Sequence, residues 1–342
     1  MSRRLILLAV LVTAALGCGK KTTDDDYSGG SGGITVTDPN ATYTLQLREP
    51  QAGDKFQVTM SDSATFTLSF EPRGSAEGKV TKEGARYVYT EEVIEVKPDE
   101  RPTKARRVYK AAERTEDGKK VTEVFQNKTV LIDKPFGMYQ FRIEGGGPIT
   151  GPSAKHLLRT YKDGPSSGNS NRELLPERPV KVGESWNFDK KAMPSLFGDN
   201  RDLKIDPDKT TATGRLRRVY RKDGRLFGVI LIGVSFAVKD ASFTPGAKLK
   251  PGAKLTADLT LDACIDGSSS DSEAKGRVTL DFTFTLQSTP GGPSEMRMMV
   301  EGNREESEKQ IAGASPPPGE KAGSTARGTS PTARSSTPTA RN

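Results

Sequence analysis

Leu255-Thr256-Ala257-Asp258-Leu259-Thr260-Leu261-Asp262-Ala263-Cys264-Ile265 alternates apolar and polar residues without a break. Val278-Thr279-Leu280-Asp281-Phe282-Thr283-Phe284-Thr285-Leu286 repeats the pattern after a gap rich in Gly, Ser and Asp. In an extended chain successive side chains point to opposite sides, so a period of two builds one dry and one wet face. At ~3.3 Å per residue the first run spans about 35 Å, roughly twice the usual strand, and strands that long twist and curl. A hairpin that turns within Asp266 to Ala274 and keeps polar opposite polar puts Asp258, Asp262 and Asp281 on the wet face, beside Thr256, Thr260, Thr279 and Thr283.

The same period recurs on both sides of this hairpin. Met296, Met298 and Val300 continue it downstream. Upstream, Asp223-Gly224 supplies the positive φ angles of a two-residue hairpin turn, which sets Tyr220 against Phe227 and Leu216 against Leu231. Val229 to Ile232 is apolar on both faces and is expected to be a central strand. Near the N-terminus Tyr43, Leu45, Leu47, then Phe56, Val58, Met60, then Phe66, Leu68, Phe70 predict three strands of an antiparallel meander, separated at Gly53-Asp54 and at Ser61 to Ala64. Further strands are expected at Arg86 to Val96, Arg106 to Thr115, Lys119 to Phe125, Thr129 to Ile132 and Met138 to Glu144, with Glu116 facing Lys119 across Asp117-Gly118.

One segment breaks the period. Ala154, Leu157, Leu158 and Tyr161 fall at helical spacing, with Ser153 as the expected N-cap and Gly164 past the end. A helix this short is marginal alone, so its apolar stripe must dock. A further helical turn at Asp189 to Met193 is stopped by Pro194. The expectation is a mainly β protein: a large curved antiparallel sheet, an incomplete barrel or trough, with one short helix on its apolar concave face.

The ends read differently. Arg3, Arg4 and the apolar run Leu5 to Leu16 form a secretory signal peptide, residues 1–17, too short for the ~20 apolar residues of a membrane span. Ala15-Leu16-Gly17-Cys18 resembles the lipobox of bacterial lipoproteins. That resemblance implies export, cleavage before Cys18, and acyl chains of the palmitate class on Cys18 that hold the protein to a cell membrane, inner or outer. Residues 18–33, polar and Gly/Ser-rich, read as a flexible tether, residues 34–303 as the β-rich domain, and residues 304–342 as a disordered basic tail. With Cys18 acylated, Cys264 is the remaining cysteine, so no intramolecular disulfide forms.

Candidate chemistry is thin. Asp258, Asp262 and Asp281 could be a glycosidase carboxylate pair or a calcium site, but Asp and Thr alternating with apolar residues is also an ordinary solvated sheet face. Cys264 shares that face, either as a thiol exposed for pairing with another chain or turned inward by a bulge. His156, the sole histidine, reads as a surface residue on the helix and makes neither a multi-histidine zinc site nor a triad. Arg106-Arg107, Arg215 to Arg221 and the tail arginines come with no nucleic-acid motif, although the chain carries a net charge of +8. Anionic envelope polymers or lipid head groups are the partners their charge suits.

Leu174 to Trp186 contains Pro179-Val180-Lys181-Val182-Gly183-Glu184-Ser185-Trp186, in which the lone tryptophan is expected to insert as a packing plug or to serve as a binding platform. With Gly53-Asp54-Lys55-Phe56 upstream and Lys222-Asp223-Gly224 downstream, this string resembles a family of uncharacterised, secreted, β-rich bacterial proteins, over most of Tyr43 to Glu301. The resemblance implies fold and location and brings no activity with it. The expected function is therefore a membrane-anchored envelope lipoprotein, not an enzyme and without cofactors, that binds a hydrophobic or polymer ligand or serves as a structural spacer. A hydrolase of envelope glycans or peptides that uses the three aspartates is the alternative.

Overall fold

The computed structural model describes residues 34–35, 38, 40–71, 79–97, 101–162, 175–188, 203–241, 247–286 and 294–313. The signal peptide, Cys18, the tether, the turn at Asp189 to Met193 and the tail beyond residue 313 lie outside them. The described strands are β1 (Ile34–Thr35), β2 (Thr42–Tyr43), β3 (Lys55–Glu71), β4 (Lys79–Glu95), β5 (Lys104–Glu116), β6 (Lys119–Thr122), β7 (Thr129–Asp133) and β8 (Gln140–Ile143). The helix α1 (Gly151–Lys162) follows, and then β9 (Val180–Lys181), β10 (Ser185–Asn187), β11 (Leu203–Lys222), β12 (Arg225–Ala241), β13 (Ala247–Leu249), β14 (Lys254–Cys264), β15 (Ser272–Leu286) and β16 (Ser294–Ala312).

These strands build a 14-stranded sheet in the order β1-β11-β12-β14-β15-β16-β3-β4-β5-β7-β8, while β2 and β9 form a separate pair. The main path is antiparallel throughout, and its ends, β1 and β8, do not meet, so the sheet stays open. The two tight hairpins form as the chain predicts. Asp117-Gly118 (φ 50° and 77°) places Glu116 opposite Lys119, and Asp223-Gly224 (φ 52° and 77°) places Tyr220 opposite Phe227.

One face of the sheet is the inner one, and it carries two apolar clusters at opposite ends of the long strands. Ala64 and Phe66 of β3 join Phe236, Leu255, Leu280, Phe282, Phe284, Met298 and Trp186 in the first cluster. Phe56, Val58 and Met60 of the same strand, at the same parity, join Tyr87, Tyr89, Tyr109, Phe125, Val130, Leu157 and Tyr161 in the second. Between the two runs a polar belt, in which Asp62 of β3 stands across the ladder from Arg304 of β16, Glu306 from Met60 and Glu308 from Val58.

That belt accounts for the main departures from expectation. Ser61 to Ala64 is no turn, because β3 passes through it as one continuous strand of 17 residues. Likewise the polar run after Asn303 is not tail: β16 continues to Ala312, paired residue by residue with β3 as far as Gln310 and then, across a bulge, at Ala312. In both places polar side chains face a buried interior, so the apolar period lapses where the strand does not. Other differences are local. A bulge between Leu216 and Arg218 moves Leu216 opposite Ile230 and brings Arg215 opposite Leu231. The Tyr43 to Leu47 run keeps its alternating burial but pairs with β9 only over Thr42–Tyr43, with a single further bridge from Gln46 to Asp266. Helix α1 begins at Gly151, so Ser153 lies inside it rather than capping it, and its hydroxyl donates to the Glu123 carboxylate at 2.6 Å.

Candidate functional site

The polar belt is the first place where chemistry gathers. Glu91 of β4 and Arg107 of β5 are ladder partners and form an ion pair with 3% and 1% of the side chains exposed. The Arg107 guanidinium lies between two rings, 4.4 Å from the centroid of Tyr89 and 4.7 Å from that of Tyr161 on α1. On the β16 side Arg304 bridges to Glu306 at 2.6 Å, both nearly buried. Arg107 Nη2 and Glu306 Oε1 are buried without a hydrogen-bond partner among the described residues. Burial, then the neighbouring charges of Glu91 and Glu306, pushes the Glu308 carboxyl well above its usual range. Sequence reading missed this belt. It placed Arg107 with Arg106 on a cationic surface; Arg106 is there, paired with Glu144 at 2.8 Å, but Arg107 points inward because adjacent strand residues alternate faces.

The second place is a groove of about 460 Å³ between α1 and the edge strand β8. After β8 the turn at Gly145, with φ 69°, sends the chain back so that the Ile149 N–H donates to the Phe141 carbonyl at 2.8 Å, and α1 starts directly behind it. The groove is floored by Tyr139, Phe141, Ile149, Ala154 and Leu158, and its charged lining is Asp133, Arg142 and Lys155. Asp133 and Arg142 stand 3.9 Å apart and both are well exposed, so they screen each other weakly. Tyr139 packs edge-on to Tyr161 at 4.8 Å, and the Tyr161 hydroxyl donates to the Pro102 carbonyl at 3.0 Å, which fixes the wall. Apolar floor and cationic rim together suit an amphiphile with an anionic head.

The expected aspartate cluster does not come together. Asp258, Asp262 and Asp281 do share the outer face, but the ladder sets Asp258 opposite Arg277, Asp262 opposite Glu273 and Asp281 opposite Lys254. Asp281 is held by Arg297 at 2.7 Å, which keeps its carboxyl below the usual range. Asp262 accepts from the Tyr220 hydroxyl at 2.8 Å, and burial raises its pKa. No group of three or more metal-ligating side chains occurs among the described residues.

Cys264 remains on that outer face, with no bulge in the β12–β14 register, yet it is neither exposed nor turned inward. Tyr220, Phe227 and Val229 cover it in a small apolar cluster, and burial raises its thiol pKa. A pairing thiol is thus overturned by local cover that period-two reasoning cannot see. His156 is likewise no surface residue: its ring is 5.5 Å from that of Tyr87, half-buried under the helix. The arginine run of β11 is spent locally, Arg215 donating to the Gly183 carbonyl at 3.2 Å and Arg218 lying 5.0 Å from the Tyr220 ring.

The two distinctive strings prove to be structural. Asp54, fully buried after Gly53 (φ 90°), accepts from Arg48 at 2.6 Å, from the Gln51 N–H at 2.7 Å and from the Gln310 amide at 3.3 Å. In Pro179 to Trp186, Gly183 (φ 86°) turns the chain, the Glu184 carboxylate accepts the Lys181 N–H at 2.8 Å, and the Trp186 indole packs closely against Gly214. Trp186 is thus the expected plug, 8% exposed, with Phe188 edge-on at 6.4 Å.

No family model matches this chain, and no curated protein does. Among solved structures, one described as "Lipid-protein interactions in lipovitellin" is similar at a TM-score of 0.31 and 10% identity, over 78% of this chain and 26% of that chain. This chain thus spans about a quarter of that one, and at that TM-score the likeness carries no argument about fold or ligand.

Proposed function

We propose that the chain is a cell-envelope lipoprotein, held to a membrane through acylated Cys18, whose sheet domain is a non-catalytic module that binds an amphiphile with an acyl chain and an anionic head. The observation that carries this reading is the groove of about 460 Å³ between α1 and β8, with Phe141, Ile149 and Leu158 on its floor and Arg142 and Lys155 on its rim. Its volume is in the range of small-molecule sites, and the pairing of apolar floor with cationic rim is what such a ligand needs. The separation of Asp258, Asp262 and Asp281 into three different ladder pairs speaks against the hydrolase.

The test is a titration of the full chain with a fluorescent lysophosphatidylglycerol below its micellar concentration. Saturable binding is expected, weakened strongly by Ala154→Trp, which fills the groove, and by Arg142→Glu with Lys155→Glu, which reverses its rim. Binding indifferent to all three substitutions would remove the groove from the account. The anchor is tested separately: Cys18→Ala should abolish palmitate labelling and move the protein into the aqueous phase of a detergent partition.

A further inference from the structure

The turn between β7 and β8 is unlike every other described apolar surface. Phe136 is 99% exposed and Met138 is 68% exposed, the two most exposed large apolar side chains among the described residues, and they sit two positions apart at the tip of one tight turn. Phe136 is held at φ 52°, a left-handed conformation costly for a bulky residue, between Pro135 and Gly137 at φ 81°. The turn is thus built to present an aromatic ring outward. It also lies at one end of the sheet, since β8 ends the strand order.

We propose that this turn inserts shallowly into an anionic lipid bilayer, with Phe136 and Met138 entering the acyl boundary and Lys134, Arg142 and Lys155 meeting head groups. Two observations favour a bilayer over a protein partner. A two-residue tip falls far short of the ~1,000 Å² that a specific protein interface buries, whereas it suits the ~5–10 Å depth of interfacial insertion. The charges beside it, Lys134, Arg142 and Lys155 against Asp133, leave a cationic surround, which anionic head groups complement. Phe136 and Met138 are not among the groove-lining residues, whereas Arg142 and Lys155 also form the groove rim, so the two readings are separated by Ala154→Trp, which fills the groove and substitutes nothing in the turn.

The experiment uses the full chain reconstituted in vesicles of phosphatidylglycerol and phosphatidylcholine that carry a spin-labelled lipid quencher. Met138→Cys is labelled with an environment-sensitive dye, and Val80→Cys serves as the control; both are made in a Cys18→Ser chain, and the native Cys264 is buried and does not compete for label. Val80 is 55% exposed and lies 15 residues before Glu95, near the β7–β8 end of the sheet, hence up to about 50 Å away along β4. The expected result is several-fold stronger lipid quenching at position 138 than at position 80, reduced by Lys134→Glu and by replacing phosphatidylglycerol with phosphatidylcholine, and retained in Ala154→Trp. Equal quenching at the two positions overturns the proposal. So does a dye at position 138 that is already shielded from a soluble quencher without vesicles, which would point to a second copy of the chain.

Discussion

Adding a single methyl group at Gly214 tests whether Trp186 is a packed plug. Gly214 lies opposite Trp186 in the β10–β11 ladder, and a Cβ built on it would stand 2.3 Å from the Trp186 Cε2 and 2.4 Å from its Cζ2. No real contact is that short, so the indole must leave its site or the strand must shift, an overpacking that costs ~1–3 kcal/mol. Against this, alanine in a strand is favoured over glycine by ~0.5–1 kcal/mol. Gly214→Ala should therefore lower stability in the wild-type chain, by about 2 to 4 °C in Tm for each kcal/mol in a domain of this size. In a Trp186→Ala background the clash is gone, and the same substitution should be neutral or stabilising, which gives a coupling equal to the clash itself, roughly 1–3 kcal/mol. Urea unfolding followed by circular dichroism measures all four corners of the cycle. Trp186 is the only tryptophan, so a red-shifted native emission in Gly214→Ala would report its expulsion independently. An equal cost of Gly214→Ala in both backgrounds would refute the close approach and, with it, the reading of Pro179 to Trp186 as a structural element.

Phe282 is fully buried on the inner face, so Phe282→Ala should cost roughly 3–5 kcal/mol in urea unfolding, whereas Thr283→Ala on the other face should stay within about 0.5 kcal/mol. Arg107→Met leaves the Glu91 carboxylate buried and uncompensated and should cost ~3–5 kcal/mol, most of which Glu91→Gln should restore in the double variant; additive losses would mean that the pair is not coupled. For Glu308, a raised folded-state pKa means that its stabilisation is complete below the ordinary value near 4.5 and is lost as pH rises through the folded value. Glu308→Gln should therefore match the wild type near pH 4 and exceed it at neutral and alkaline pH, and urea midpoints that run parallel from pH 4 to 9 would contradict the burial of this carboxyl. Cys264 should react with a maleimide only after unfolding, and rapid labelling of the native chain would show that Tyr220 and Phe227 do not cover it.

Most of the sheet was legible because two local rules act on short stretches of chain. Period-two alternation marked both ends of Lys254–Cys264 and the C-terminal end of Ser272–Leu286 to within a residue, although the latter strand begins six residues before the expected Val278, and positive φ at Asp-Gly set the pairing next to both turns, up to the bulge after Leu216. Those rules failed where polar side chains point inward. Ser61 to Ala64 looked like a turn and Arg304 to Ala312 like a tail, because the alternation of strands crossing the polar belt carries no apolar signal. The candidate site was harder still: Tyr139, Phe141, Ile149 and Leu158 appear in the chain as ordinary strand and helix residues, and nothing local says that they line one groove.

What the chain determined alone was local: which segments extend, where they reverse, and that one short amphipathic helix must lean on a sheet. What only the tertiary structure decided was which distant strands become neighbours. β3 pairs with β16, and Asp54 receives the amide of Gln310 from 256 residues further along the chain. The physical reason is that extension depends on a residue and its immediate neighbours, whereas the burial of Arg107, Glu308 or Cys264 depends on what another strand lays over it.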